Sequence, residues 1–249
     1  MVHNNRPVTL IDFPPDTYDI KSIDRKLSSV FIKPGCTFCD VGGSGGIDAI
    51  PFAEAGAQGV IIDIDTKSLK RGRDKTKQIK LHKISFICAS ATALPFSTET
   101  FDLVTSFSVI DHLPSKTDAR EAIKEFSRVT KHNGHVVVTI PNKIFFLGTI
   151  MMASKKFLQP DSFFEQRFTP KELISYFSEF GLKITNYDSK NPAIIGQSII
   201  AHNMPKIVRK IPSRMLTPLF GLGIKILHLS ENFKLHLLGA RFGVASVKT

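Results

Sequence analysis

The stretch Phe38-Cys39-Asp40-Val41-Gly42-Gly43-Ser44-Gly45-Gly46, with Val60-Ile61-Ile62-Asp63-Ile64-Asp65 after it, decides the fold. An apolar run ends in an acid, a glycine cluster follows, and a second apolar run ends in a second acid. Glycines let the backbone turn sharply and approach a ligand where side chains would collide. The spacing predicts a helix over 46–56, whose first N–H groups would face the same ligand. An acid at the end of the next strand lies where a ribose presents its two hydroxyls. Together these features describe a βαβ unit that binds a nucleoside.

The choice of nucleoside follows from what the loop lacks. The dinucleotide fingerprint needs G-x-G-x-x-G. From Gly43 the frame reaches Asp48 instead of the third glycine, and from Gly42 it meets Ser44 at the second. Asp40 before the loop would also repel a pyrophosphate, whereas a carboxylate there suits a ligand carrying an amine. An amine and a ribose diol on one ligand point to S-adenosylmethionine.

On these residues the chain resembles the class I S-adenosylmethionine-dependent methyltransferases, in particular the ubiquinone and menaquinone type and other small-molecule enzymes. The family pattern D-x-G-x-G-x-G falls on Asp40, Gly42, Ser44 and Gly46, with Ser44 in place of the middle glycine. The family's second-strand acid matches Asp63. Ala93-Leu94-Pro95-Phe96, Phe101-Asp102-Leu103-Val104, Asp111-His112-Leu113, Glu125-Phe126-Ser127-Arg128-Val129, Lys131-His132-Asn133-Gly134-His135 and Ile140-Pro141-Asn142 follow in the family's order.

The resemblance implies a cofactor site made of Asp40, Gly42, Gly43, Ser44, Gly46, Asp63, Ile64, Ser90, Ala91 and Phe107. Asp40 would hold the methionine amine directly or through the loop, and Phe107 or Ser108 would support the methionine end. Asp63 would take the ribose hydroxyls, with Asp65 as rival, and Ile64 would flank the adenine. Ser90 stands where relatives often carry an acid for the adenine amine, and Ala91 edges the ring beside it. His112 is the candidate general base, histidine being the side-chain type that exchanges protons near neutral pH, and Asp111 is the candidate to orient it.

The wider chain predicts an α/β, Rossmann-like, seven-stranded and mostly parallel sheet with helices on both faces. Strands are expected near 36–41, 59–64, 83–88, 102–107 and 134–140, and helices near 66–78 and 116–131. A helix over 170–180 opens at Thr169-Pro170-Lys171-Glu172. Leu182–Tyr187 and Ile194–His202 read as the antiparallel hairpin that finishes the sheet. In this division, residues 1–34 are an N-terminal arm and cap helix, and 35–204 are the methyltransferase domain. Its insertion, 143–168, is aromatic-rich and reads as a substrate lid or as a helix covering the sheet. Residues 205–249 form a basic amphipathic extension.

Charge and composition narrow the partners. The net charge is +11. Residues 201–249 carry eight Lys/Arg against Glu231 alone, which leaves about +4 for the rest by difference. A basic apolar tail suits anionic lipid, a further lid, or a solvated face over a buried one. Met215–Leu229 is apolar, but Pro218, Lys225 and His228 interrupt it, so it falls short of a membrane span. Cys36 and Cys39 lie on the first strand or its approach and read as core packing, and no histidine has spacing that suggests a metal. The N-terminus lacks the apolar core of a signal peptide.

These features predict a cytoplasmic enzyme, peripheral on the membrane through 205–249, that methylates a hydrophobic small molecule or lipid-like acceptor, with O-methylation favoured because His112 offers a base. The alternatives are an RNA methyltransferase, which the absence of an Asn/Asp-Pro-Pro-Tyr element disfavours, and an inactive methyltransferase-like membrane-associated partner.

Overall fold

The computed structural model describes residues 27–141, 166–190 and 241–249. Their strands are β1 (Thr37–Val41), β2 (Gln58–Asp63), β3 (Ile84–Cys88), β4 (Phe101–Phe107), β5 (Thr130–Pro141), β6 (Leu182–Lys190) and β7 (Arg241–Lys248). They form one sheet in the order β3-β2-β1-β4-β5-β7-β6. The first five are parallel to one another, while β7 runs antiparallel to both β5 and β6. This is the expected sheet, with the expected reversed end.

The helices are α1 (Ala49–Glu54), α2 (Thr66–Gln78), α3 (Lys116–Val129) and α4 (Pro170–Glu179). Alternation of side chains along the strands splits the core into two layers. Phe38, Ile61, Leu103, Val137 and Ala245 face α1 and α2. Cys39, Ile62, Val104, Val138 and Val244 face α3 and α4. Burial pushes the Cys39 thiol well above its ordinary pKa, with the neighbouring Asp40 charge acting the same way. Among the described residues, no group of His, Cys, Asp and Glu could hold a metal ion.

Two expectations change. The partner of β6 is Arg241–Lys248, whereas 194–202 lies outside the described residues. The extension expected over 205–249 therefore ends inside the core, with Phe242 and Val244 buried between β5 and β6. Short strands are told apart by their partners, and pairing between distant segments leaves no periodic trace. The second change is the first helix, expected over 46–56, which is only Ala49–Glu54. Gly46 has φ +79°, outside helical space, and Pro51 cannot donate a backbone hydrogen bond, so it must sit in the first turn.

The arm and cap helix expected over 1–34 are described only from Leu27 on. Leu27 is buried in the α1–α2 layer, and Phe31 stacks on His135 with ring centroids 3.9 Å apart. His135 opens the parallel stretch of β5 beside Leu103, so Phe31 lies toward the amino ends of the strands, away from the glycine loop. Asp102 staples that end. It accepts from Thr37 N at 2.8 Å and Thr37 Oγ1 at 2.7 Å, and pairs with Lys131 Nζ at 2.9 Å.

The start of α4 is a capping box. Thr169 and Glu172 exchange hydrogen bonds, and Lys116 Nζ of α3 lies 2.7 Å from Glu172. Burial opposes ionisation of Glu172, but the hydrogen bonds from Lys116 and Thr169 outweigh it and bring the carboxyl pKa to about 2. In the unfolded chain the value is the ordinary 4.5. Between the two the unfolded state binds more protons, so stability falls as pH falls. The contribution is whole above 4.5 and disappears as pH drops toward about 2. Denaturant midpoints measured across that window should fall more steeply for the native protein than for Glu172→Gln. The glutamine keeps the cap and loses the ion pair, so the two curves should converge at the acid end.

Candidate functional site

The carboxyl ends of β1, β2 and β4 meet around the glycine loop. Each turn is set by a specific bond. The Ile62 carbonyl accepts from both Gly42 N (2.7 Å) and Gly43 N (3.1 Å), which folds the loop over the end of β2. Ser44 N then donates to Asp63 Oδ2 at 2.8 Å, while Asp65 N donates to Oδ1 at 2.9 Å. Asp63 thus joins the two acid-ended strands seen in the sequence.

Asp65, the rival to Asp63, is committed elsewhere. It caps α2 by accepting from Lys67 N and the Ser68 hydroxyl. Those bonds, with the Ser68 hydroxyl leading, hold its carboxyl below the ordinary range. Ile64, between the two acids, is 76% exposed, an uncommon setting for so large an apolar side chain and suited to the face of a planar ligand.

Asp40 lies beneath the loop. It is 1% exposed, and Thr105 Oγ1 on β4 donates to its Oδ1 at 2.7 Å. A Cβ on Gly43 would stand 2.4 Å from Asp40 Oδ2, so the loop backbone rests directly on this carboxylate. Of the two roles open to Asp40 in the sequence, action through the loop fits this burial. A Cβ on Gly42 would meet Val109 Cγ2 at 2.1 Å, and Gly46 rests on the Ile61 side chain. Val109 belongs to the turn after β4, so the close packing at Gly42 brings the His112 turn against the loop.

That turn runs through Phe107, half-buried, and Ser108, whose N–H donates to Thr139 O of β5 at 2.8 Å. Both Ser44 (φ +50°) and Ser108 (φ +56°) hold left-handed backbone, which costs a non-glycine residue about 1 kcal/mol. Asp111 is buried at 1%, and its Oδ2 lies 3.5 Å from Nε2 of His112, which is 46% exposed. Neighbours in sequence could have pointed apart; these two touch. The adenine-edge candidates follow β3. Ala91 is buried, and Ser90 Oγ lies 2.8 Å from Thr92 Oγ1.

The loop after Ser90 is clamped from α3. Glu125 accepts from Leu94 N at 2.8 Å, while Arg128 donates to Phe96 O at 2.7 Å and to Leu94 O at 3.0 Å. The Glu125-to-Arg128 stretch legible in the sequence therefore supports the site from behind. Of the lid expected over 143–168, residues 143–165 lie outside the described residues. At its return, Gln166 donates through its N–H to Asp111 O and through its side-chain amide to Leu113 O. Phe168, included in the lid from sequence, is instead fully buried in the core, with Lys116 Nζ 4.2 Å from its ring centroid.

Thr105, Gly72 and Gln166 had not been singled out. Thr105 becomes legible only through its register opposite Asp40. Gly72 did leave a signal, because glycine in a helix interior costs about 1 kcal/mol against alanine. A Cβ there would lie 2.7 Å from Gly45 O, so the helix and loop backbones are in contact.

Residues 39–138 match the methyltransferase-domain family. A demethylmenaquinone methyltransferase of Renibacterium salmoninarum is 37% identical over 106 residues, 42% of this chain and 41% of that protein. A ubiquinone/menaquinone biosynthesis C-methyltransferase, UbiE, of Marinomonas sp. is 33% identical over 116 residues, 45% of each. The matched stretch thus spans less than half the length of these curated relatives. Among solved structures, a geranyl diphosphate methyltransferase in complex with SAM superposes with TM-score 0.66 at 10% identity, covering 90% of this chain and 84% of that one. A putative sarcosine dimethylglycine methyltransferase from Galdieria sulphuraria gives 0.64 at 16% identity, covering 92% and 84%. Both establish the class I methyltransferase fold.

The loop geometry separates two glycines that look alike in sequence. Gly43→Ala should destabilise by about 1–3 kcal/mol through overpacking on Asp40. Gly45→Ala meets nothing nearer than 3.6 Å and should fold as well as the native chain. Thermal unfolding of the two variants side by side checks this.

Proposed function

We propose, for a chain whose residues 39–138 match the methyltransferase-domain family, that it transfers a methyl group from S-adenosylmethionine to an apolar small molecule of quinol or lipid-like type. One contact carries this reading: Asp63 holds the glycine loop through Ser44 N and stands beside the exposed Ile64. A carboxylate has about four lone-pair sites. Two accept backbone N–H groups, which leaves capacity for a ribose diol. The tight floor under Gly42 and Gly43 leaves backbone alone facing the ligand, so the residues present fit this cofactor.

When bound, the cofactor supplies a methyl carbon already activated by its sulfonium, so the protein's part is mostly alignment. Asp63 would bind the ribose hydroxyls and Ile64 would lie against the adenine. Ser90 and Ala91 would edge the ring. Asp40 would fix the loop from below for the methionine amine, and Phe107 with Ser108 would support the methionine end. His112, exposed at the turn after β4, takes the proton from an acceptor hydroxyl, and Asp111 steadies the imidazole. A phenol that loses its proton is nucleophilic at oxygen and at the adjacent ring carbon. The activity named for the UbiE relative, C-methylation in ubiquinone and menaquinone biosynthesis, supports a ring-carbon acceptor. The O-methyl outcome expected from the sequence would use the same base.

An apolar acceptor also fits a cytoplasmic enzyme that touches the membrane peripherally through the part of 205–249 that precedes β7. Among the described residues no helix is long and apolar enough to cross a membrane.

Calorimetry with S-adenosylhomocysteine tests the cofactor half of the proposal. Native protein should bind, and Asp63→Ala should bind roughly tenfold or more weakly, because it loses a charge-assisted hydrogen bond. A folded native protein that gives no heat would overturn it. With a demethylated quinol as acceptor, His112→Ala should slow transfer roughly 100-fold or more while leaving that binding intact.

A further inference from the structure

Among the described residues, positive charge gathers on α2. Residues 66–83, which form α2 and its link to β3, hold eight Lys/Arg and a single acid, Asp74. Helix α2 buries Ser68, Leu69, Gly72 and Thr76 against the sheet and the glycine loop. That arc of its circumference faces inward, so the cations take the rest. Lys67, Lys70, Lys75, Lys77, Lys80 and Lys83 are all exposed. Among the described residues, only Lys83 of these six uses its ammonium in a hydrogen bond, to Gly56 O at 3.5 Å. The two arginines differ. Arg71 turns to Ser68 Oγ at 2.6 Å, and Arg73 donates to Phe86 O at 3.2 Å, so both guanidinium groups are tied to the fold.

We infer that this lysine face, along the β3 edge of the sheet, docks the protein on an anionic lipid surface. Six lysines with one intervening acid repel one another in solution, and of them only Lys75 and Lys77, in the last turn of α2, complement the helix dipole. The helix is held by its Asp65 cap and by its buried arc. Point charges on flexible stems suit a fluid layer of lipid phosphates, and each basic residue near such a surface adds attraction. The exposed side chain of Ile79 lies within the same stretch and can enter the headgroup region. Nucleic acid fits less well. Single-strand binding relies on aromatic platforms between the cations, and residues 66–83 contain no aromatic side chain apart from His82. The choice of lipid rests on the proposed apolar acceptor, which would reside in a membrane. The surface is distinct from residues 205–249, so the two can be separated by mutation.

The test is co-sedimentation of the full chain with vesicles of phosphatidylcholine alone and of phosphatidylcholine mixed with phosphatidylglycerol. The expected result is salt-sensitive binding to the anionic vesicles only, weakened roughly tenfold or more in Lys70→Glu/Lys75→Glu/Lys77→Glu. A charge-matched control, Lys124→Glu/Lys171→Glu/Lys183→Glu, should lose much less. Thermal unfolding and S-adenosylhomocysteine calorimetry on the same proteins establish that each is folded. They also read the methyltransferase proposal independently: absent heat with intact vesicle binding would sink that proposal alone. Three outcomes would overturn the docking surface. The native chain could ignore anionic vesicles, or the α2 variant could bind as well as the native chain, assigning the contact to another segment. The third is a single-stranded RNA bound in the same salt with the loss confined to the α2 variant and no vesicle binding, which would assign the face to nucleic acid.

Discussion

The site depends on one carbonyl. Ile62 O accepts from both Gly42 and Gly43, and this shared acceptor bends the loop over the end of β2. Without the bend, Ser44 N could not reach Asp63, and the two acid-ended strands would be neighbours without a common site. The bond is available because β1 and β2 are parallel and in register, with Val41 beside Ile62. Parallel pairing places both carboxyl ends at one edge of the sheet, where the next residues of each strand meet. The glycines are then a consequence, since a Cβ at Gly42 or Gly43 would occupy the space of Val109 or Asp40.

Stabilising contacts and the candidate site occupy opposite ends of the same strands. At the amino ends, Asp102 ties Thr37 to Lys131, and Phe31 stacks on His135. Hydrogen bonding from Lys131 and Thr37 overcomes the desolvation of Asp102 and keeps its carboxyl below the ordinary range. At the carboxyl ends, polar groups serve placement. Asp40 is buried under backbone, Asp111 is buried beside an exposed imidazole, and two serines hold left-handed backbone. Such groups cost free energy and are tolerated where the surrounding packing over-determines them. The Glu125–Arg128 pair shows the division within one helix. It faces away from the sheet core, yet it fixes the loop that carries the adenine-edge candidates.

The sequence alone determined the βαβ unit, both acids and the parallel half of the sheet. Each is written in local signals: apolar runs of strand length, a glycine cluster that only a turn explains, and the capping residues Thr169 and Glu172. It also carried the pairing of Asp111 with His112 as adjacent residues, though not their contact. Tertiary structure alone decided which strand lies between β5 and β6, how long the first helix is, and which of Asp63 and Asp65 caps the second. Arg241–Lys248 lies within the stretch that reads as a basic extension, and its place in the sheet rests on pairing with β5 and β6 across a long separation in the chain. Asp63 fits the family spacing better than its rival Asp65, and the start of α2 claims Asp65 as its cap. Thr105 acquires meaning only once β4 lies against β1. Hydrogen bonds within a turn of helix or a tight loop leave a pattern in the chain, whereas those between strands distant in sequence depend on a register that no local pattern records.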